Sequence, residues 1–120
     1  MGKKVLIIDD DARNIFALTA TLKAKSFECM SCSGAEEAIE MLKGDTGVDV
    51  VLIDMMMPDM DGYEAIPLIK EIPHRQLLPV VSVTAQAMAG DREKCLEAGA
   101  DAYISKPIDV DKLLLLLNTI

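Results

Sequence analysis

Two kinds of apolar pattern alternate along the chain. Short runs rich in β-branched residues fall at 5–8, 48–53 and 80–83, with weaker ones near 28–32 and 102–104. Between them the apolar positions take helical spacing. Ile15, Leu18 and Leu22 share one face, as do Ala35, Ala38, Ile39 and Leu42. Asp61, followed three residues on by Glu64, resembles a capping box and predicts a third helix from near Asp61. A fourth helix is predicted over about 91–98, closed by Gly99, and a last one over about 110–117. Asp11 stands where its carboxylate can cap the first helix. Pro67 falls inside the third helical pattern, where it removes a donor and crowds the carbonyl four residues back. A kink or a late helix start is expected there.

Five strand–helix units in alternation imply an α/β fold, a parallel sheet with helices on both faces. The runs 5–8 and 50–53 are apolar without alternation, as strands covered on both faces are. In such a sheet every strand ends at the same edge, and ligands bind outside that carboxyl edge where the strand order reverses. The first strand ends in Asp9-Asp10, the third in Asp54, the fourth in Thr84 and the fifth in Ser105-Lys106. Residues distant in sequence therefore meet in one cleft.

Carboxylates a few ångströms apart repel, and one of them holds its proton unless positive charge compensates. Lys106 brings one such charge; a hard divalent cation brings two. Magnesium takes oxygen ligands and keeps several waters, so one or two carboxylates and a carbonyl suffice. No His or Cys lies near this edge, which makes zinc a poor fit. A carboxylate beside Mg²⁺, a lysine and a threonine hydroxyl suits phosphoryl transfer, with Asp54 as the nucleophile.

Composition narrows the partners. The 120 residues fit one domain, 1–120, and 51% hydrophobic residues allow a full core. Twelve basic against 20 acidic residues give a formal charge of −8, which opposes direct contact with nucleic acid or an anionic membrane. No segment approaches the apolar length of a membrane span, so no membrane insertion and a cytoplasmic location are expected. Leu6 stands where a myristoylation signal after Gly2 needs Ser or Thr. Three cysteines suit a reducing compartment. Cys29 and Cys32 form a C-x-x-C, but on a strand these positions point to opposite faces, and packing is the expected role. His74, the single histidine, follows a proline in a loop and is read as a surface residue.

The stretches "VLIIDDD" (5–11), "VVLIDMMMPDMDGYE" (50–64), "PVVSVTA" (79–85) and "AGADAYISKPI" (98–108) resemble, in that order, the receiver domains of two-component response regulators. The segments 13–22 and 84–108 are most similar to receivers of hybrid sensor histidine kinases. The resemblance implies the flavodoxin-like (βα)5 doubly wound fold, with five parallel strands in the order 2-1-3-4-5. It also implies Mg²⁺-dependent phosphorylation, with Mn²⁺ able to substitute. Asp54 matches the phosphoacceptor. Asp10 matches the direct metal ligand of the acidic pair, Asp9 a ligand through water, and Met56 the donor of a backbone carbonyl. Thr84 and Tyr103 match the switch pair, and Lys106 the lysine that pairs with the phosphoryl group. The bond from Lys106 to Pro107 is usually cis in such domains. The implied partner is a histidine kinase or histidine phosphotransfer protein. Slow autodephosphorylation is implied, and phosphorylation-dependent homodimers through the last helices are common in the family.

Other chemistries fit less well. A haloacid-dehalogenase-type phosphatase needs a second Asp two residues after the nucleophile, and Met56 cannot move protons. A flavin mononucleotide site needs a phosphate-cradling loop after the first strand, where Asp9, Asp10 and Asp11 repel phosphate. A degenerate receiver that only binds partners would not need Asp9, Asp10, Asp54, Thr84 and Lys106 together.

Overall fold

The computed structural model describes residues 3–44, 46–85 and 90–120. Gly2 and the stretch 86–89 of the resemblance lie outside the described residues. Five strands and five helices alternate: β1 (Lys4–Ile8), α1 (Ala12–Ala24), β2 (Glu28–Cys32), α2 (Ala35–Lys43), β3 (Val50–Asp54), α3 (Gly62–Glu71), β4 (Val80–Thr84), α4 (Asp91–Glu97), β5 (Ala102–Ser105) and α5 (Val110–Thr119). The strands form one parallel sheet in the order β2-β1-β3-β4-β5. The fold is the expected doubly wound one, and the order reverses between β1 and β3.

The central strands are buried on both faces, which explains why their sequences do not alternate. All five residues of β3 and of β4 are buried, whereas edge strand β2 is covered only in part. Alternate residues feed two cores. Leu6, Ile8, Val51 and Ile53 pack with α2 and α3 residues such as Leu42, Ile66 and Ile69. Val5, Ile7, Val50 and Leu52 pack with Leu22 of α1 and with Leu113 and Leu117 of α5. Cys32 joins the first core and Cys29 lies against the second, so the C-x-x-C is split across the sheet as strand geometry requires.

Two strand starts are closed by aspartates. Asp49 Oδ2 accepts from Lys4 N at 2.7 Å, and Asp101 Oδ2 accepts from Val80 N at 2.8 Å. Asp49 N also donates to Lys4 O at 2.8 Å, so backbone and side chain of Asp49 together hold Lys4 just before β3. Lys70 Nζ reaches the same Asp101 Oδ2 at 2.7 Å and ties α3 to this corner.

Helix α3 removes one of the two alternatives raised by Pro67. It does not start late: Asp61 accepts from Glu64 N at 3.0 Å and the helix runs from Gly62 through Pro67 to Glu71. Pro67 is exposed, on the side where water can serve the carbonyl that loses its donor. The packing of Ala65, Ile66 and Ile69 outweighs the local cost. Helix α4 ends at Glu97, with Ala98 as its cap and Gly99 at φ +112° beyond it. Helix α5 runs two residues past the predicted end. Asp11 caps α1 through Arg13 N at 2.9 Å, as expected.

Candidate functional site

Asp9 and Asp10 follow β1, Asp54 closes β3, Thr84 closes β4, and Lys106 follows β5. The parallel register stacks these ends at one edge. Ile8 lies opposite Ile53, Asp54 opposite Val83, and Thr84 opposite Ser105. One carboxylate oxygen from each of Asp9, Asp10 and Asp54 lies within 4.8 Å of the other two. Lys106 Nζ sits 3.4 Å from Asp54 Oδ2 and 3.7 Å from Asp9 Oδ2. The cleft that the strand-end list foresaw is therefore present, with Lys106 as its cation among the described residues.

The surroundings differ from one acid to the next. Asp54 is 6% exposed and Asp9 4%, while Asp10 faces solvent. Burial pushes the Asp54 carboxyl above its usual range and the neighbouring Asp9 charge adds to this, against the opposing Met56 N–H and Lys106. Met56 N donates to Asp54 Oδ1 at 3.1 Å. Asp9 is fixed from its own turn, where Asp11 N donates to Oδ1 at 2.9 Å and the Asn14 amide to Oδ2 at 3.4 Å. Asn14 was not singled out from the sequence; its only signal is a place on the first turn of α1.

The loop after β3 is shaped by packing. Gly62 N donates to Met55 O at 3.2 Å, and a Cβ on Gly62 would come 2.9 Å from Met55 Cα. Glycine is needed here by close approach. Met55 is fully buried while Met56 is 52% exposed at the rim. Thr84 is buried, its carbonyl accepting from Lys106 N at 2.7 Å. The bond from Lys106 to Pro107 is cis, as the resemblance implied. Tyr103 is half-buried against the α2–α3–α4 side of the sheet. Its phenol is held above the usual range by burial, with Asp91 and Cys95 adding to the effect. His74 is exposed at φ +72°.

Three clustered carboxylates with no nitrogen or sulfur donor among them match the ligand chemistry of a hard divalent cation. One lysine against three acids leaves the cluster with excess negative charge, which such a cation would offset.

The comparisons agree with this geometry. The response regulator receiver domain family matches residues 5–118. The chain belongs to that family. Among curated proteins, this receiver is 41% identical over 113 residues to the signal transduction histidine-protein kinase BarA of Escherichia coli K12, covering 94% of this chain and 12% of BarA. It is 36% identical over 109 residues to the sensor histidine kinase RcsC of Salmonella typhi, covering 91% of this chain and 11% of RcsC. The chain thus spans only 11–12% of the length of these kinases. Among solved structures it resembles the receiver domain of sensor histidine kinase PA1611 from Pseudomonas aeruginosa, determined with a magnesium ion coordinated in the active site cleft. That match has a TM-score of 0.89 and 28% identity, and covers 99% of this chain and 97% of that one. The chemotaxis protein CheY4 of Vibrio cholerae, at 22% identity and a TM-score of 0.91, covers 100% of this chain and 99% of its own and shares the fold. Among the described residues no helix is long and apolar enough to cross a membrane.

Proposed function

We propose that this receiver of two-component signalling, acting as one unit over residues 1–120, is a switch thrown by phosphorylation of Asp54. The observation that carries the reading is the approach of the Asp9, Asp10 and Asp54 carboxylates to within 4.8 Å, with Lys106 3.4 Å from Asp54. Asp10, Asp54 and the Met56 carbonyl would hold Mg²⁺ or Mn²⁺, with Asp9 acting through water. The bound cation would neutralise charge on the transferring phosphoryl oxygens.

The chain's own residues do the rest. Asp54 reacts as the carboxylate, so no general base is needed. One of its oxygens forms the new bond to phosphorus while the P–N bond of a donor phosphohistidine breaks, and the electron pair returns to the imidazole. Lys106 pairs with the new phosphoryl oxygens and the Thr84 hydroxyl turns toward them. Tyr103 moves inward into the space Thr84 leaves, reshaping the face of α4, β5 and α5. Moving such an equilibrium from 1:99 to 99:1 takes roughly 5.5 kcal/mol of differential interaction. Several charge-assisted contacts to one phosphoryl group are of that order. Ala85 is small and exposed, which supports water access and slow autodephosphorylation.

The donor is a histidine kinase or a histidine phosphotransfer protein in the cytoplasm. Supporting this, an apolar groove of about 480 Å³ beside the acids is lined by Leu18, Ile108 and Val110 together with Asp9 and Lys106. Phe16 on α1 is 64% exposed. A phosphorylation-dependent homodimer would use the α4–β5–α5 face, where Leu115 is exposed near Tyr103.

Incubation with acetyl phosphate and MgCl2 should add the mass of one phosphoryl group. The increment should vanish in Asp54→Asn and with a chelator. Equal labelling of Asp54→Asn would overturn the assignment.

A further inference from the structure

The groove between α2 and α3 is lined by none of the residues assigned to phosphoryl transfer. It has a volume of about 560 Å³. Its floor is apolar, made of Ile39, Met60, Leu68 and Ile72, and Leu68 is 40% exposed. Ile72 is buried and Ile39 and Met60 are half-buried, so Leu68 offers most of the exposed apolar surface, and an apolar floor with a polar rim is a form that interaction surfaces take. The rim is acidic, with Glu36 and Glu40 on α2 and Glu71 on α3.

The two helices contain two lysines, and both are engaged. Lys43 Nζ is paired with Glu40 at 3.0 Å, and Lys70 Nζ is held by Asp101 at 2.7 Å. Five glutamates lie on the same helices, Glu37 and Glu64 in addition to the three at the rim. Lys43 itself lines the groove and offsets Glu40, so the lining carries three glutamates against one lysine and stays net negative over the apolar trough.

We infer that this groove is a docking site for a cationic amphipathic helix of a partner protein. The shape fits a helix laid along two helices, whose nine and ten residues give a trough about 13–15 Å long. The floor takes one apolar face of the incoming helix, and its flanking Lys or Arg side chains meet the glutamate rim. Complementary charge sets partner choice and association rate, and the apolar floor supplies the affinity. An acidic or neutral helix leaves the rim carboxylates opposed or unpaired. The site stands whether or not Asp54 accepts phosphate.

The test is a titration of the isotope-labelled protein with a synthetic helical peptide of about 14 residues, leucines on one face and lysines beside them, followed by amide chemical shifts. Shifts should be confined to 36–43 and 60–73. Raising salt from about 50 mM to about 300 mM should weaken binding several-fold. Glu36→Gln with Glu71→Gln should weaken it by about fivefold, as expected for two exposed charges. Leu68→Lys, a change at an exposed position, should weaken it by about tenfold or more. Unchanged dispersion of the spectrum away from the groove verifies the fold of each variant. Shifts centred on α1 or on the α4–β5–α5 face would overturn the inference. So would equal binding of a peptide with Glu in place of Lys, or an affinity that ignores Leu68→Lys.

Discussion

Replacing Asp54 by asparagine should make the metal-free receiver more stable. Asp54 is buried and faces two other carboxylates within 4.8 Å, against one lysine 3.4 Å away. At an effective dielectric of about 20, each like-charge pair at that separation costs roughly 3 kcal/mol and the lysine returns roughly 5. Asp10 is exposed, so its share is screened and smaller. Burial of the Asp54 charge adds a further cost. The balance leaves Asp54→Asn more stable by about 1–2 kcal/mol, and each kcal/mol is worth about 4 °C of Tm for a chain of 120 residues.

The pH dependence follows from the same direction. The folded carboxyl titrates above 3.8, so the folded state takes up its proton before the unfolded chain does. Wild-type stability from this group therefore rises as pH falls through the folded value, and the rise is complete below 3.8. The advantage of Asp54→Asn should be full near neutrality and should shrink on acidification. Urea unfolding followed by circular dichroism, with a chelator present, measures it. Adding MgCl2 should reverse the order, because a ligand at 100 times its Kd stabilises by about 2.7 kcal/mol and the variant lacks a carboxylate to hold it. A metal-free Asp54→Asn that is less stable than wild type would refute the electrostatic reasoning. Equal stabilisation of both by magnesium would refute the ligand assignment.

Other expectations test the packing around the site. Gly62→Ala should destabilise by about 1–3 kcal/mol in urea unfolding, because the new methyl group meets the Met55 backbone and the loop must shift. The Cys32 thiol is pushed up to about 12, mainly by burial, and Cys29 is raised as well. A thiol reagent at about pH 8 should therefore leave the folded protein almost unmodified and react fully after denaturation. Burial, followed by the nearby Cys95, pushes the Tyr63 phenol up to about 12, and Tyr103 is raised too. Ultraviolet titration at pH 10 should show less phenolate in the folded protein than after unfolding. Since the unfolded chain loses these protons first, stability should fall as pH rises from 10 towards about 12.

Local sequence determined more of this receiver than its size suggests. Unalternating apolar runs at β1 and β3 announced strands covered on both faces, and five strand–helix units implied a parallel sheet. A parallel sheet has one carboxyl edge, so a list of strand-end residues was already a list of neighbours. Asp9, Asp10, Asp54, Thr84 and Lys106 could be grouped without coordinates for that reason. Tertiary structure decided what depends on contact. The survival of α3 through Pro67 rests on core packing that no propensity records. The Asp49 carboxylate holds Lys4 N–H, a partner 45 residues away. The unequal burial of Asp9, Asp10 and Asp54, the grip of Asn14 on Asp9 and the press of Gly62 on Met55 arise only when separate strands and loops meet. Periodicity encodes which face a residue takes; charge balance and close approach belong to the assembled molecule.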